Sequence, residues 1–105
     1  MNMYIYLINQ NDTSLYKIGI SKDIEKRLKS LQTGSGISLI LMKSFLTTNS
    51  FKLESSLHAY YKLKKVNSEW FELTLEDVEG FLNVCEKQEN NLNILKENNT
   101  YLSNF

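Results

Sequence analysis

A single cysteine, Cys85, stands in this chain. One thiol closes no internal disulfide and builds no zinc cluster, so both ways of stapling a small fold are excluded. Its simplest role is that of a small buried apolar residue, and its isolation predicts a reducing, cytoplasmic setting, or a host-cell interior for a viral protein. Proline is absent. No apolar run reaches the roughly eighteen residues of a membrane span. The first residues, Met1-Asn2-Met3-Tyr4-Ile5-Tyr6, have no basic flank ahead of their apolar side chains, which argues against a signal peptide. There is also no excess of charge, since 12 Lys and Arg balance 12 Asp and Glu.

What is present describes one small folded domain. The 105 residues are 42% hydrophobic and include five Phe, six Tyr and one Trp, enough for one core and too few for two. Asparagine occurs twelve times, a bias of the kind that AT-rich genomes such as those of phages and viruses produce. The neutral total hides a segregation. Residues 1–65 carry ten Lys and Arg against four Asp and Glu, a balance of +6, and residues 66–105 carry two against eight, a balance of −6. A basic front of this kind can follow phosphates while an acidic back stays free, although mixed surfaces also sort this way by chance.

The apolar pattern predicts an α+β fold with a three-stranded antiparallel sheet, helices on its faces and a C-terminal helix. Residues 3–8 and 15–20 read as the two strands of a hairpin, joined by the turn formers of residues 9–14. In the second strand Tyr16, Ile18 and Ile20 share one face, and Lys17 and Gly19 share the other. Ser21 is the expected N-cap of a helix running to about Leu31, with Ile24, Leu28 and Leu31 as its apolar stripe. Lys22, Lys26 and Lys29 point away from that stripe. Arg27 lies at its edge, about 60° from Ile24, and needs an anionic partner, either a carboxylate or a phosphate. A third strand follows over residues 38–46, then a helix over residues 51–65 with Leu53, Leu57 and Tyr60 as core positions. Glu54, His58 and Tyr61 form a ridge beside that stripe. Residues 67–73 read as a turn and a short extended piece. Thr74 and Asp77 resemble a capping box opening a last helix, with Val78, Leu82, Cys85, Leu92 and Leu95 on its apolar side. Residues 98–105 are expected to fray.

Tyr6, Lys17, Arg27, Glu54 and His58 supply one carboxylate, cations and a phenol, the inventory of a phosphoryl-transfer site. Singly, each has a simpler reading. Glu54 and His58 serve equally well as a solvated pair one turn apart, and Tyr4 and Tyr6 as strand packing.

Their order along the chain resembles the GIY-YIG nuclease superfamily. Tyr4-Ile5-Tyr6 stands at that family's first motif and Lys17-Ile18-Gly19 at its second, followed by Ser21-Lys22-Asp23 and Arg27. Leu53-Glu54-Ser55-Ser56-Leu57-His58 and Glu69-Trp70-Phe71-Glu72-Leu73 resemble the E-x-x-L-H and E-W-F-x-L patterns of its phage- and virus-associated branch. The resemblance covers residues 3–75, with residues 76–105 as a C-terminal helix and tail of the same domain. It departs from the family at Tyr4, where a Gly is usual, and at Lys17, where the second Tyr usually stands. The resemblance implies a metal-dependent endonuclease acting on DNA. Glu54 would hold Mg²⁺ or Mn²⁺, Tyr6 with Lys17 or His58 would activate water, and Arg27 would stabilise the transition state. Lys22, Lys26, Lys29, Lys62, Lys64 and Lys65 are the expected nucleic-acid contacts. The alternatives are an inactive domain that binds nucleic acid or a host protein, and a structural module that forms a homodimer through its C-terminal helix.

Overall fold

Strand β1 (Met3–Gln10) lies between β2 (Leu15–Ser21) and β3 (Leu39–Thr47), antiparallel to both. Ile5 and Leu7 point to one face of the sheet, and Tyr6 and Ile8 to the other. All four are buried. A strand covered on both faces has no polar side to alternate with, which is why residues 3–8 read as an unbroken apolar and aromatic run.

The computed structural model describes residues 2–103. After β2 come α1 (Ile24–Thr33), β3, α2 (Ser50–Tyr60), a 3₁₀ turn (Lys62–Lys64), β4 (Lys65–Asn67), β5 (Trp70–Glu72), α3 (Leu75–Glu79) and α4 (Phe81–Ser103). The α+β class and the flanking helices are as expected, but the sheet has five strands in the order β3-β1-β2-β5-β4, not three. The two additional strands are three residues long, too short to display a period of two.

Each face of the sheet has its own core. Helix α1 places Ile24, Leu28 and Leu31 over Tyr6, Ile8 and Leu39, with Trp70 at the margin. On the other face Leu53 and Leu57 of α2, Val78 of α3, and Phe81 and Cys85 of α4 close over Ile5, Leu7, Tyr16, Ile18 and Phe71. Burying each of the larger apolar side chains contributes about 1.5–3 kcal/mol.

Several helix limits differ from the sequence expectation. Ser21 is the last residue of β2, paired with Tyr4, and is not a cap. The N-cap of α1 is Asp23, whose carboxylate accepts the Lys26 N–H at 3.1 Å. Helix α2 stops at Tyr60, five residues early, because the chain must turn there to deliver Lys65 to β4. The capping box is present. Thr74 accepts from the Asp77 N–H at 3.1 Å, and the Asp77 carboxylate accepts from the Thr74 N–H at 2.9 Å. The helix it opens ends at Gly80, and α4 starts afresh and continues through Ser103, past the point where fraying was expected. Positions 104 and 105 of that expectation lie outside the described residues. Glu89 of α4 accepts hydrogen bonds from Thr47 and from the Asn49 amide, and the Asn49 amide also donates to Asn93 at 2.9 Å. Asn49, the N-cap of α2, therefore makes no side-chain cap bond. Among the described residues no helix is long and apolar enough to cross a membrane.

Candidate active site

Strand β2 alternates as its sequence requires. Tyr16 and Ile18 enter the core under α2 and α4, which leaves Lys17 and Gly19 on the face covered by α1. Tyr6 pairs with Gly19 across the ladder. A Cβ added to Gly19 would lie 2.3 Å from the Tyr6 phenol oxygen and 2.5 Å from Cζ, so the end of the ring rests on bare backbone. Tyr6 is 1% exposed. The Arg27 guanidinium faces its phenol oxygen, and this contact is the main reason that Arg27 is held more firmly in its charged form. Burial opposes it, and the charge of Glu69 adds to it. The arginine at the edge of the α1 stripe is an exposed residue whose guanidinium reaches the Tyr6 phenol. Of the two partners expected, a carboxylate or a phosphate, the carboxylate of Glu69 acts on it through its charge.

Lys17 is buried, and its ammonium forms an ion pair with Glu69 at 2.7 Å. The same ammonium lies 5.5 Å from the centroid of the Trp70 ring. Glu69 sits in the turn between β4 and β5, next to Ser68, whose φ of 37° is in the left-handed region. Its carbonyl accepts the Ile18 N–H at 3.1 Å.

Ile18 also explains His58. The N–H and C=O of one strand residue point to the same side, here outward from β1. The N–H is taken by Glu69, but β5 supplies no donor for the C=O. His58 supplies it, with Nε2 at 3.0 Å from the Ile18 oxygen. Nε2 is therefore the protonated nitrogen. The imidazole also meets the Phe71 ring edge-on, 5.0 Å between centroids. The sequence reading placed His58 as an alternative to Lys17 beside Tyr6. In the structure its Nε2 takes over the place of a missing strand and fastens α2 to β2.

Glu54 lies one turn before His58 and is half-buried. Burial and then the charge of Glu69 push its carboxyl above the usual range, while His58 and Lys17 pull it down. Tyr6, Lys17 and Arg27 thus lie on the α1 side of the sheet and Glu54 on α2, which covers the other side, and Glu69 is the group that acts on Lys17, Arg27 and Glu54 alike. Glu69 is missing from the sequence candidates. Its only signal there was its place at the head of Glu69-Trp70-Phe71-Glu72-Leu73. Among the described residues no three His, Cys, Asp or Glu side chains form a metal-ligand cluster, and Glu69 is the carboxylate whose charge acts on Glu54.

The six candidate lysines fall into two groups. Lys22 and Lys26 line an open depression of about 480 Å³ together with Ser21, Arg27 and Ser30, and Lys29 is exposed on the same helix. Lys62, Lys64 and Lys65 belong to the opposite end of β2, where Lys64 and Lys65 flank Ser14 and Glu72. Lys64 is paired there with Asp77, and Lys65 lies 5.8 Å from the Phe71 ring centroid. A larger depression of about 610 Å³, between Phe51 and Leu95, touches none of the candidate residues.

No solved structure matches the chain. Uncharacterized protein 460R of Invertebrate iridescent virus 6 is 34% identical over 67 residues, covering 62% of this chain and 30% of that protein. The chain thus matches less than a third of the length of that viral relative. The T5orf172 domain, a phage-associated domain, matches residues 3–86. That match takes in all five strands, α1, α2 and every candidate site residue, and the chain belongs to the T5orf172 domain family.

Proposed function

We propose that this domain is a metal-dependent endonuclease of the GIY-YIG type, which hydrolyses or nicks DNA phosphodiester bonds. One observation carries the reading. Tyr6, Lys17, Gly19 and Arg27, which bear motifs of the resemblance, come from β1, β2 and α1 and adjoin at one end of β2, and Glu54 of α2 lies within reach of the Lys17 charge. Membership of a phage-associated domain family and a viral relative are consistent with it.

The residues suit a hard divalent cation. Mg²⁺ needs only one or two protein carboxylates and completes its shell with water and substrate phosphate. Glu54, half-buried and pressed by the charge of Glu69, is a carboxylate that a cation would relieve. Mg²⁺ or Mn²⁺ bound there would polarise the phosphate and stabilise the leaving oxygen. Lys17 binds a non-bridging oxygen of the scissile phosphate. The Tyr6 oxygen meets Arg27 and keeps its O–H to orient the attacking water. Arg27 faces the charge that builds on the phosphoryl oxygens. The water oxygen bonds to phosphorus as the bond to the leaving sugar oxygen breaks. The water gives up one proton to solvent and the leaving oxygen takes one from solvent, so protons balance.

A second reading is a binding domain without catalysis. It is favoured by Lys17 standing where a second tyrosine is usual, and by Lys17 and Arg27 each having a partner within the protein. Supercoiled plasmid separates the two. Nicking that needs Mg²⁺ or Mn²⁺ and stops in chelator supports the nuclease, whereas retention of the plasmid without nicking supports the binding domain.

A further inference from the structure

We propose that Glu69 is the internal counter-ion of the phosphate seat, so that nucleic acid binds by exchange: a backbone phosphate displaces the Glu69 carboxylate from Lys17. The inference rests on the nuclease-site reading in that Lys17 is taken as the phosphate contact. The geometry of the pair carries it. The Lys17 side chain is 11% exposed, that of Glu69 is 34% exposed, and their charged atoms are 2.7 Å apart. Lys17 cannot withdraw, because its ammonium is held over Trp70 and its strand is paired on both sides. Glu69 can. Its backbone is fixed by the Ile18 N–H, but its side chain leaves from a hairpin turn and can rotate into water.

The exchange solves a problem of charge. A lysine this buried, left without a partner, is costly, and a preformed empty phosphate seat would impose that cost on the free protein. With Glu69 in place, one anion leaves as another arrives and the ammonium is never unpaired. The arrangement also selects among anions. Free phosphate must break the pair and gains a single contact. A DNA strand that reaches Lys17 and also meets Lys22 and Lys26 on α1 gains several contacts at once, and these offset the displacement. Glu69 therefore sets a threshold that a polyanion passes more easily than a small one.

The test is binding of a labelled duplex of about 20 base pairs, by fluorescence anisotropy in chelator, with a salt titration. The proteins are the parent, Glu69→Gln, Glu69→Ala, Lys17→Met and Lys17→Met combined with Glu69→Gln. Circular dichroism melts establish that each is folded. Both Glu69 variants should tighten binding about three- to tenfold at low salt and steepen the salt dependence by about one counter-ion. Inorganic phosphate should compete with the duplex at lower concentration against Glu69→Gln than against the parent. In the Lys17→Met background the gain from Glu69→Gln should fall below about twofold, as expected of two residues that act on one another. Unchanged or weaker binding by the Glu69 variants overturns the exchange, as does an equal gain without Lys17. A parent that binds or nicks DNA while the Glu69 variants show no gain overturns this inference alone. Absence of DNA binding in every variant overturns the nuclease-site reading with it.

Discussion

The phenol of Tyr6 rests on the backbone of Gly19, with room for no Cβ between them. Tyr6 is almost fully buried and carries Arg27, so the ring cannot swing aside into solvent. Gly19→Ala should therefore cost about 1–3 kcal/mol, as other overpacked cores do. In a domain of this size that lowers Tm by several degrees. Tyr6→Phe removes the nearest atom, so Gly19→Ala should cost less in that background. Thermal melts of the four proteins check this, and strictly additive losses would mean that the two residues do not meet.

Glu54→Gln should abolish metal-dependent cleavage while duplex binding in chelator stays at or above the parent's. Its effect on stability has the opposite sign. Burial and Glu69 hold the Glu54 carboxyl above its usual range in the folded state. The folded protein then binds that proton more tightly than the unfolded chain does, so stability falls as pH rises from the ordinary carboxylate range through the raised value. The glutamine variant escapes that loss and should melt slightly higher than the parent at neutral pH, but not below the carboxylate range. Glu69→Gln, which removes one of the charges pushing on Glu54, should narrow that pH-dependent difference in melting.

Arg27→Ala should lower the cleavage rate on the order of a hundredfold or more, as removal of other transition-state stabilisers does. Arg27→Lys should recover little, because an ammonium cannot hold the Tyr6 oxygen and two phosphoryl oxygens in one plane. Single-turnover rates at saturating protein isolate this effect from binding. Parent-like rates in both variants would remove Arg27 from the site.

The two lysine groups should behave differently in binding. Lys26→Glu with Lys29→Glu should weaken every duplex sequence alike and reduce the salt slope. Lys64→Gln should change affinity by less than about twofold, since its charge is already offset by Asp77. Lys87, on α4, is the control and its charge reversal should have no effect. Equal losses at all three places would mean that the basic front is not an interface.

Tyr61 offers a change expected to help. Its hydroxyl is buried without a hydrogen-bond partner, and burial pushes its pKa above the usual range. A buried donor left unpaired costs about 1–3 kcal/mol, so Tyr61→Phe should be neutral or stabilising by up to about 1 kcal/mol. A clear loss in a urea titration would show that the hydroxyl has a partner after all.

The parts of this fold that were legible in the sequence are those with a long enough period. Eight residues of β1 and seven of β2 show their faces, and Ile24, Leu28 and Leu31 show theirs. Strand β5 was legible only as the short extended piece of residues 67–73, and β4 was not legible, because three residues cannot establish an alternation and only Phe71 among them is buried. The start of α1 was misplaced because Ser21 and Asp23 are both good caps, and the choice is made by the pairing of Ser21 with Tyr4 across the hairpin. In the site, motif order brought out Tyr6, Lys17, Arg27 and Glu54. Glu69 was hidden because its importance depends on β5 pairing with β2, a contact between distant parts of the chain. The engagement of His58 was hidden for a related reason. Its partner is a carbonyl that is free because β5 begins only at Trp70, opposite Lys17.

That late start of β5 makes β2 the common datum of the molecule. Arg27 is located through the α1 core and Glu54 through the α2 and α4 core, and these two sets of packed side chains are separated by the sheet. A repacking under one helix leaves the other undisturbed, so the span between guanidinium and carboxylate accumulates tolerance from two independent sources. Strands β1 and β2 both lie between the two sets, and β2 meets site residues of each, through Gly19 beneath Tyr6 and through the Ile18 carbonyl on His58. The two halves of the site can drift separately in sequence, provided that β2 stays straight.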